Sequence, residues 1–237
     1  MFEILILFIS GYLAAVVSGI VGFGGGILLL PLLTYSMDIK TAIPLITIAQ
    51  IIGNASRFWF NRKELVWKPV QFFLLGAIPF AIIGSLLFSY LQAEIIKPGI
   101  GILIILLVTI KRLVKPKNEP DRKVMLIGGS FTGIISGIAG TSGPFSALLF
   151  SSLKISAAAY IASEAFAALA MHSVKMTIYW QYLDLGKDIA IYGITIGIAM
   201  ILGSYTGKKL IGKIKREYFQ IIVEVCLVLV GIQMVVM

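Results

Sequence analysis

Two short glycine-rich segments have the composition of an anion-binding site. Residues 22–26 and 140–144 each interrupt a long apolar region. Glycine inside a helix costs about 1 kcal/mol, whereas proline is well tolerated at the first position of a helix. We therefore expect one helix to end at each segment and a short helix to begin near Gly26 and near Pro144.

Such a segment can bind an anion because it lies at the start of a helix. A helix N-terminus has unpaired N–H groups and about half a positive charge, and glycine lets an anion approach the backbone closely. If both short helices start near the middle of the membrane, their N-termini face one volume. The alternative is that the glycines serve only close helix packing. The predicted donors of this site are Gly24, Gly25, Gly26, Thr141, Ser142 and Gly143.

Polar side chains follow the first segment at helical spacing. Gln50, Asn54 and Arg57 are three or four residues apart, so they share one face of a helix. Such a face on an apolar helix indicates a substrate path, and we predict that all three bind substrate. For Arg57, which stands near the end of its apolar run, snorkelling to the membrane surface is the alternative.

Ionisable residues also follow the second segment, on one predicted helix. Glu164 and His172 are about two helical turns apart and face roughly the same way, and Lys175 follows them. Ionisable groups inside a membrane are costly, so a functional role is the default hypothesis. Glu164 and His172 are candidates for carrying a coupling proton, although His172 in an interhelical hydrogen bond is an equal alternative. Lys175 is predicted to attract the anion, with interfacial anchoring as the alternative.

The composition is that of a membrane protein. The chain has 237 residues, of which 59% are hydrophobic and 13% charged, against about 25% charged in soluble domains. One cysteine and one histidine exclude a disulfide framework, a cysteine zinc site and a His-Glu-x-x-His protease. We predict no metal and no cofactor. The basic residues that give the chain its formal charge of +9 lie between apolar runs. This placement favours contact with membrane lipid over nucleic acid.

The hydrophobic runs and the basic residues together predict a topology. A membrane helix needs about 20 apolar residues, and the runs that meet this are 39–60, 68–91, 96–114, 155–180, 187–206 and 218–237. Lysine and arginine are concentrated in the connections at 62–68, 111–123 and 208–216, not in those at 92–97 and 181–188. The positive-inside rule puts the first group in the cytoplasm. This fits best if regions 2–36 and 124–152 are hairpins that return to the side they entered from.

An internal duplication divides the chain in two. Residues 18–22 and 136–140 share a pattern, and Arg57 falls into register with Lys175. The halves are residues 1–114 and 124–237, joined by a basic cytoplasmic linker at 115–123. We predict an all-α polytopic membrane protein of two inverted repeats, each a broken re-entrant helical hairpin plus three transmembrane helices. Secondary transporters commonly have this plan.

The first repeated pattern carries a family resemblance. Residues 18–26, followed by Pro31, resemble the N-terminal signature of the sulfite exporter TauE/SafE family, also called the toluene-sulfonate uptake permeases. Asn54, Arg57 and the echo at 136–140 fit its two-repeat pattern. The resemblance implies transport of sulfite, sulfoacetate, sulfonates or other small anions across a prokaryotic plasma membrane. It implies a multi-pass transporter and not an enzyme; a homodimer is one option for its oligomeric state.

Two other classes of function remain as alternatives. An anion channel or a non-transporting membrane subunit has the same composition, and sequence alone does not separate it from a carrier. The run Gly140-Thr141-Ser142-Gly143 resembles the motif of rhomboid-type intramembrane serine proteases, with His172 as the base. The equivalent place in the first half is glycine-rich and has no serine, and a protease has no use for the duplication.

Overall fold

The described part of the chain is helical throughout. The computed structural model describes residues 2–21, 25–113, 119–141 and 143–210, and the single positions 225, 228, 232 and 235. Within these residues there are nine α-helices, one 3-10 turn at Arg62–Glu64 and no strand, which confirms the all-α prediction. The helices are α1 Phe2–Val21, α2 Gly25–Ser36, α3 Ile39–Asn61, α4 Trp67–Tyr90, α5 Ala93–Leu113, α6 Arg122–Ala139, α7 Gly143–Ser151, α8 Ala157–Tyr182 and α9 Lys187–Leu210.

The long helices follow the predicted apolar runs closely. Helices α3, α4, α5, α8 and α9 each match one run to within a few residues, whereas the run at 218–237 lies almost wholly outside the described residues. Among the described helices, α4, α8 and α9 are long and apolar enough to cross a membrane by length and composition. Helix α3 is as long but contains Gln50, Asn54 and Arg57, which are buried within the protein.

Both predicted helix breaks are present. Helix α1 ends at Val21 and α2 begins at Gly25, while α6 ends at Ala139 and α7 begins at Gly143. Each short helix therefore starts one residue before the predicted position. Gly140, directly after α6, has a φ of 72°, a left-handed conformation that glycine adopts without strain. This residue ends α6 and turns the chain towards α7.

Glycines let the first arm of each hairpin pack on a helix from the other half. Helix α1 lies along α9, where a Cβ at Gly19 would stand 3.0 Å from the Cα of Gly207. Helix α6 lies along α4, where Gly129 contacts the backbone of Phe73 and Gly137 that of Gly84. In each pair of helices the residue numbers of the contacting positions increase in the same direction, so the two helices are parallel. Small residues let the helices approach this closely.

Helices α1 and α6, the first arms of the two breaks, run in opposite directions in the helix bundle. Lys208, at the end of α9, donates from its ammonium to the carbonyl of Phe60 at 2.7 Å, and Phe60 lies a few residues before the start of α4. At the other end of the bundle, the ring of Tyr90, the last residue of α4, lies 6.0 Å from that of Tyr182, the last residue of α8. The start of α9 follows Tyr182 by a few residues. Helices α4 and α9 therefore run in opposite directions, and so do α6 and α1, which are parallel to them.

Candidate functional site

A small cavity lies where the two short helices begin, beside α3 and α8. Its volume is about 20 Å³, which is room for roughly one water molecule. Both halves of the chain contribute to its wall. The residues that line it are Ser18, Gly25, Gly26, Gln50, Asn54, Arg57, Thr141, Gly143, Glu164, Ala168, His172 and Met200.

Most of the predicted site residues meet at this cavity. The structure brings together the three polar side chains of α3, the first residues of both short helices, and the ionisable pair on α8. Gly24 and Ser142 are outside the described residues. Lys175 is the predicted residue that the structure places elsewhere, behind the cavity wall.

The cavity wall contains a buried ion pair. Arg57 Nη2 donates to Glu164 Oε2 at 2.8 Å, and the two side chains are only 7% and 2% exposed. The same guanidinium nitrogen donates to Asn54 Oδ1, and Ser146 Oγ donates to Glu164 Oε1 at 2.9 Å. The snorkelling interpretation of Arg57 is wrong, because α8 supplies a carboxylate that compensates the buried charge.

Gln50 connects the two helix breaks. Its Nε2 donates to the carbonyl oxygen of Gly140 at 3.0 Å, which ties α3 to the end of α6. A Cβ at Gly26 would collide with the Gln50 side chain, so only glycine leaves room for it there. Gln50 thus holds the starts of α2 and α7 in register around the cavity.

Lys175 supports the second break instead of lining the cavity. Its ammonium is fully buried and donates to Ser136 O, Ser136 Oγ and Gly140 O at 3.0, 2.9 and 3.1 Å. The last carbonyls of a helix lack intrahelical partners and carry partial negative charge, so they attract a cation. Interfacial anchoring of Lys175 is therefore wrong, and the predicted attraction of the anion gains no support from a place on the cavity wall.

His172 lines the cavity and has an unpaired polar atom. The residue is 1% exposed and lines the wall, yet its Nδ1 has no hydrogen-bond partner in the described part of the protein. Buried polar atoms are nearly always hydrogen-bonded, and those that are not call for an explanation. An imidazole nitrogen can donate or accept, so His172 can contact a bound molecule in this cavity.

Positions that the predicted duplication pairs lie together in the cavity wall. At the offset that pairs Arg57 with Lys175, Asn54 pairs with His172 and Gly25 with Gly143. All but Lys175 line the wall. The two halves do not carry the same charged residues, since the position paired with Glu164 is the apolar Ile46. The predicted repeats therefore contribute paired positions to the wall, whereas the ion pair has a member, Glu164, that the pairing does not repeat.

Four residues of the site did not stand out in the sequence. Ser18, Ala168 and Met200 line the cavity, and Ser146 binds Glu164 from α7. Ser18 is the first residue of the repeated pattern at 18–22, and this position is the one feature of the sequence that could have identified it as a site residue. The others depend on how α7, α8 and α9 pack, and nothing local marks them.

Neither metal nor protease chemistry gains support from the described residues. Among them there is no group of three or more histidine, cysteine, aspartate or glutamate side chains that could hold a metal ion. The serine protease alternative depends on Ser142, which lies outside the described residues, so its distance to His172 remains untested.

The comparison with protein families covers nearly the whole chain. The sequence model of the family described as "Sulfite exporter TauE/SafE" matches residues 7–234. No curated protein and no solved structure matched the chain in the corresponding searches. The matched region includes both helix breaks and every residue of the cavity. This helical membrane protein therefore belongs to the sulfite exporter TauE/SafE family.

Proposed function

We propose that this protein is a secondary transporter of small sulfur-containing anions, with sulfite as the leading candidate, and that the cavity is its binding site. The observation that carries the proposal is that Arg57 and His172 both line the cavity at the starts of α2 and α7, with the Arg57 guanidinium buried and His172 Nδ1 without a partner among the described residues. The family supports a sulfur-containing anion. Sulfoacetate and other sulfonates have the same oxygen acceptors and remain candidates.

The donors around the cavity suit an oxyanion. Helices α2 and α7 begin at Gly25 and Gly143, and the N–H groups of a first helical turn have no partner within the helix. Both helix starts direct partial positive charge at the cavity. Gly24 and Ser142 remain part of the proposed donor set. Arg57 adds a full charge and a fixed fork of N–H groups.

The size of the cavity favours a carrier that changes shape. A volume of about 20 Å³ is room for roughly one water molecule, and we propose that the walls separate to admit a sulfite ion. Walls drawn from both halves of the chain separate when the halves move relative to each other. We therefore infer alternating access by two inverted repeats, residues 1–114 and 124–237, in a prokaryotic plasma membrane that the chain crosses several times.

Transport in proteoliposomes tests this function. We expect radiolabelled sulfite to enter vesicles containing the protein, and to enter faster when unlabelled sulfite is present inside. This counterflow identifies a carrier, because a channel does not couple the two fluxes. Arg57→Gln should abolish uptake, whereas the matched control Arg62→Gln, on an exposed residue just beyond α3, should leave it unchanged. Equal uptake by both variants would contradict the proposed site.

A further inference from the structure

We propose that Glu164 competes with the transported anion for Arg57, so that the anion binds when Glu164 carries a proton. This inference rests on the proposed function and adds to it the reason why a proton should accompany the anion. Glu164 would act as an internal anion that holds the binding cation until substrate and proton arrive together.

The geometry of the ion pair supports this competition. Glu164 Oε2 accepts from Arg57 Nη2 at 2.8 Å, and Arg57 lines the cavity. A carboxylate and a sulfur oxyanion offer a guanidinium the same kind of oxygen acceptors. An anion that enters the cavity therefore meets a guanidinium whose Nη2 is already engaged with Glu164.

Ser146 gives Glu164 a second contact that does not depend on charge. Ser146 Oγ donates to Glu164 Oε1 at 2.9 Å from helix α7. A hydroxyl both donates and accepts, so it can pair with the ionised or the protonated carboxyl group. Protonated Glu164 can thus release Arg57 and still keep a hydrogen bond in the buried wall.

The charges around the cavity require compensation for an added anion. Among the lining residues, Arg57 and Glu164 carry opposite charges, and His172 is the third group that titrates. Lys175, further along α8, is held by the carbonyls at the end of α6, while the described residues of α2 and α7 contain no ionisable side chain except Tyr35 at the far end of α2. An anion added to the intact pair would leave a buried negative charge without a partner, which is costly.

For a monovalent anion, such as hydrogen sulfite or a sulfonate, the exchange is balanced in charge and in atoms. A proton from solution adds to the Glu164 carboxylate, the ion pair separates, and Arg57 pairs with the incoming anion. On the other side of the membrane the anion leaves, Glu164 gives up its proton and pairs with Arg57 again. One proton therefore moves with each anion, in the same direction.

Sulfite binding to the purified protein tests the competition. We compare wild type with Glu164→Gln at mildly acidic and mildly alkaline pH. Sulfite itself titrates, but this is common to both proteins, so the ratio of their dissociation constants isolates Glu164. The variant should bind sulfite at least about tenfold more tightly at alkaline pH, and the ratio should approach one in acid. Glu164→Asp, which keeps the carboxylate, should retain the wild-type pH dependence.

Two results would overturn the competition while leaving the proposed function standing. One is a ratio that does not change with pH, and the other is weaker sulfite binding by Glu164→Gln than by wild type at alkaline pH. If Glu164→Gln does not fold, calorimetry of wild type in two buffers of different ionisation enthalpy replaces it. Uptake of about one proton per sulfite beyond the uptake by sulfite itself supports the inference, and no such excess overturns it. A wild-type protein that binds no sulfite at any pH contradicts the proposed function itself.

Discussion

Arg57 in the first half of the chain and Glu164 in the second form a buried ion pair across the cavity, with Nη2 and Oε2 2.8 Å apart. The pair joins α3 to α8, the two helices that supply most of the polar wall. Any movement that separates the halves at this point must break the pair. An anion that binds Arg57 would therefore disturb one of the contacts that link the halves.

Removing one member of this pair should destabilise the protein, and removing both should not. Arg57→Leu or Glu164→Leu leaves one uncompensated buried charge, which costs about 3–5 kcal/mol. In the double variant Arg57→Leu/Glu164→Leu no such charge remains, so its melting temperature in detergent should return towards that of wild type. The double variant should nevertheless transport no sulfite. Restored stability together with wild-type transport would show that the pair is purely structural.

Glycine at the start of α2 should be required for binding and not for folding. A Cβ at Gly25 would lie 3.2 Å from Met200 Cε and 3.3 Å from Ser18 Cβ, so the neighbours must yield slightly. The branched side chain of Gly25→Val would occupy the cavity that Gly25 lines. We expect Gly25→Val to lose sulfite binding, measured by calorimetry, and to retain a folded, monodisperse peak in size-exclusion chromatography.

The matched control for that variant is Gly99→Val. A Cβ at Gly99 has nothing within 4 Å, and the residue is exposed on α5, far along the chain from either helix break. Like Gly25→Val, it replaces a glycine of a helix by valine. If the two variants bind sulfite equally well, the start of α2 does not contact the anion.

Much of this architecture can be predicted from the sequence, because the relevant signals are local. Apolar runs, glycine clusters and the residue after each break are sufficient to predict α3, α4, α8, α9 and the two short helices. The polar positions Gln50, Asn54 and Arg57 were identified by their spacing on one helix. Such signals require only neighbours along the chain.

The partners of the charged residues could not be predicted in this way. Arg57 pairs with Glu164 and Lys175 binds the end of α6 because of how distant helices pack. The internal duplication even suggested equivalent roles for Arg57 and Lys175. Their environments differ because a carboxylate stands on α8 where the equivalent residue of α3 is Ile46.

Lys175 should matter for stability more than for anion affinity. Lys175→Met leaves the buried oxygens of Ser136 without this donor, and an unsatisfied buried acceptor costs about 1–3 kcal/mol. Thermal unfolding should show a lower melting temperature than for Lys187→Met, which changes an exposed lysine. Folded Lys175→Met should bind sulfite within about threefold of wild type, because Lys175 does not line the cavity. A threefold change in Kd corresponds to less than the about 1.4 kcal/mol that a tenfold change requires. Loss of binding in a fully folded variant would instead put Lys175 in contact with the anion.

The distribution of lysine and arginine predicts the orientation in the membrane. On a Cys226→Ser background, a cysteine at Lys187 should react with a membrane-impermeant reagent added outside, and a cysteine at Lys123 only from the cytoplasmic side. Both chain termini are predicted to be outside. Labelling at position 187 from the cytoplasm alone would rule out the hairpin topology that the inverted repeats require.

The central claim is that a small sulfur-containing anion binds at this cavity. A thermal-shift screen of the purified protein against sulfite, sulfoacetate, taurine, thiosulfate and simple carboxylates tests it most directly, with Arg57→Gln measured beside wild type. An anion at about 100 times its Kd should stabilise wild type by about 2.7 kcal/mol and leave Arg57→Gln unchanged. If none of these anions raises the melting temperature of wild type, while a cation or a peptide does, the protein is not the anion carrier proposed here.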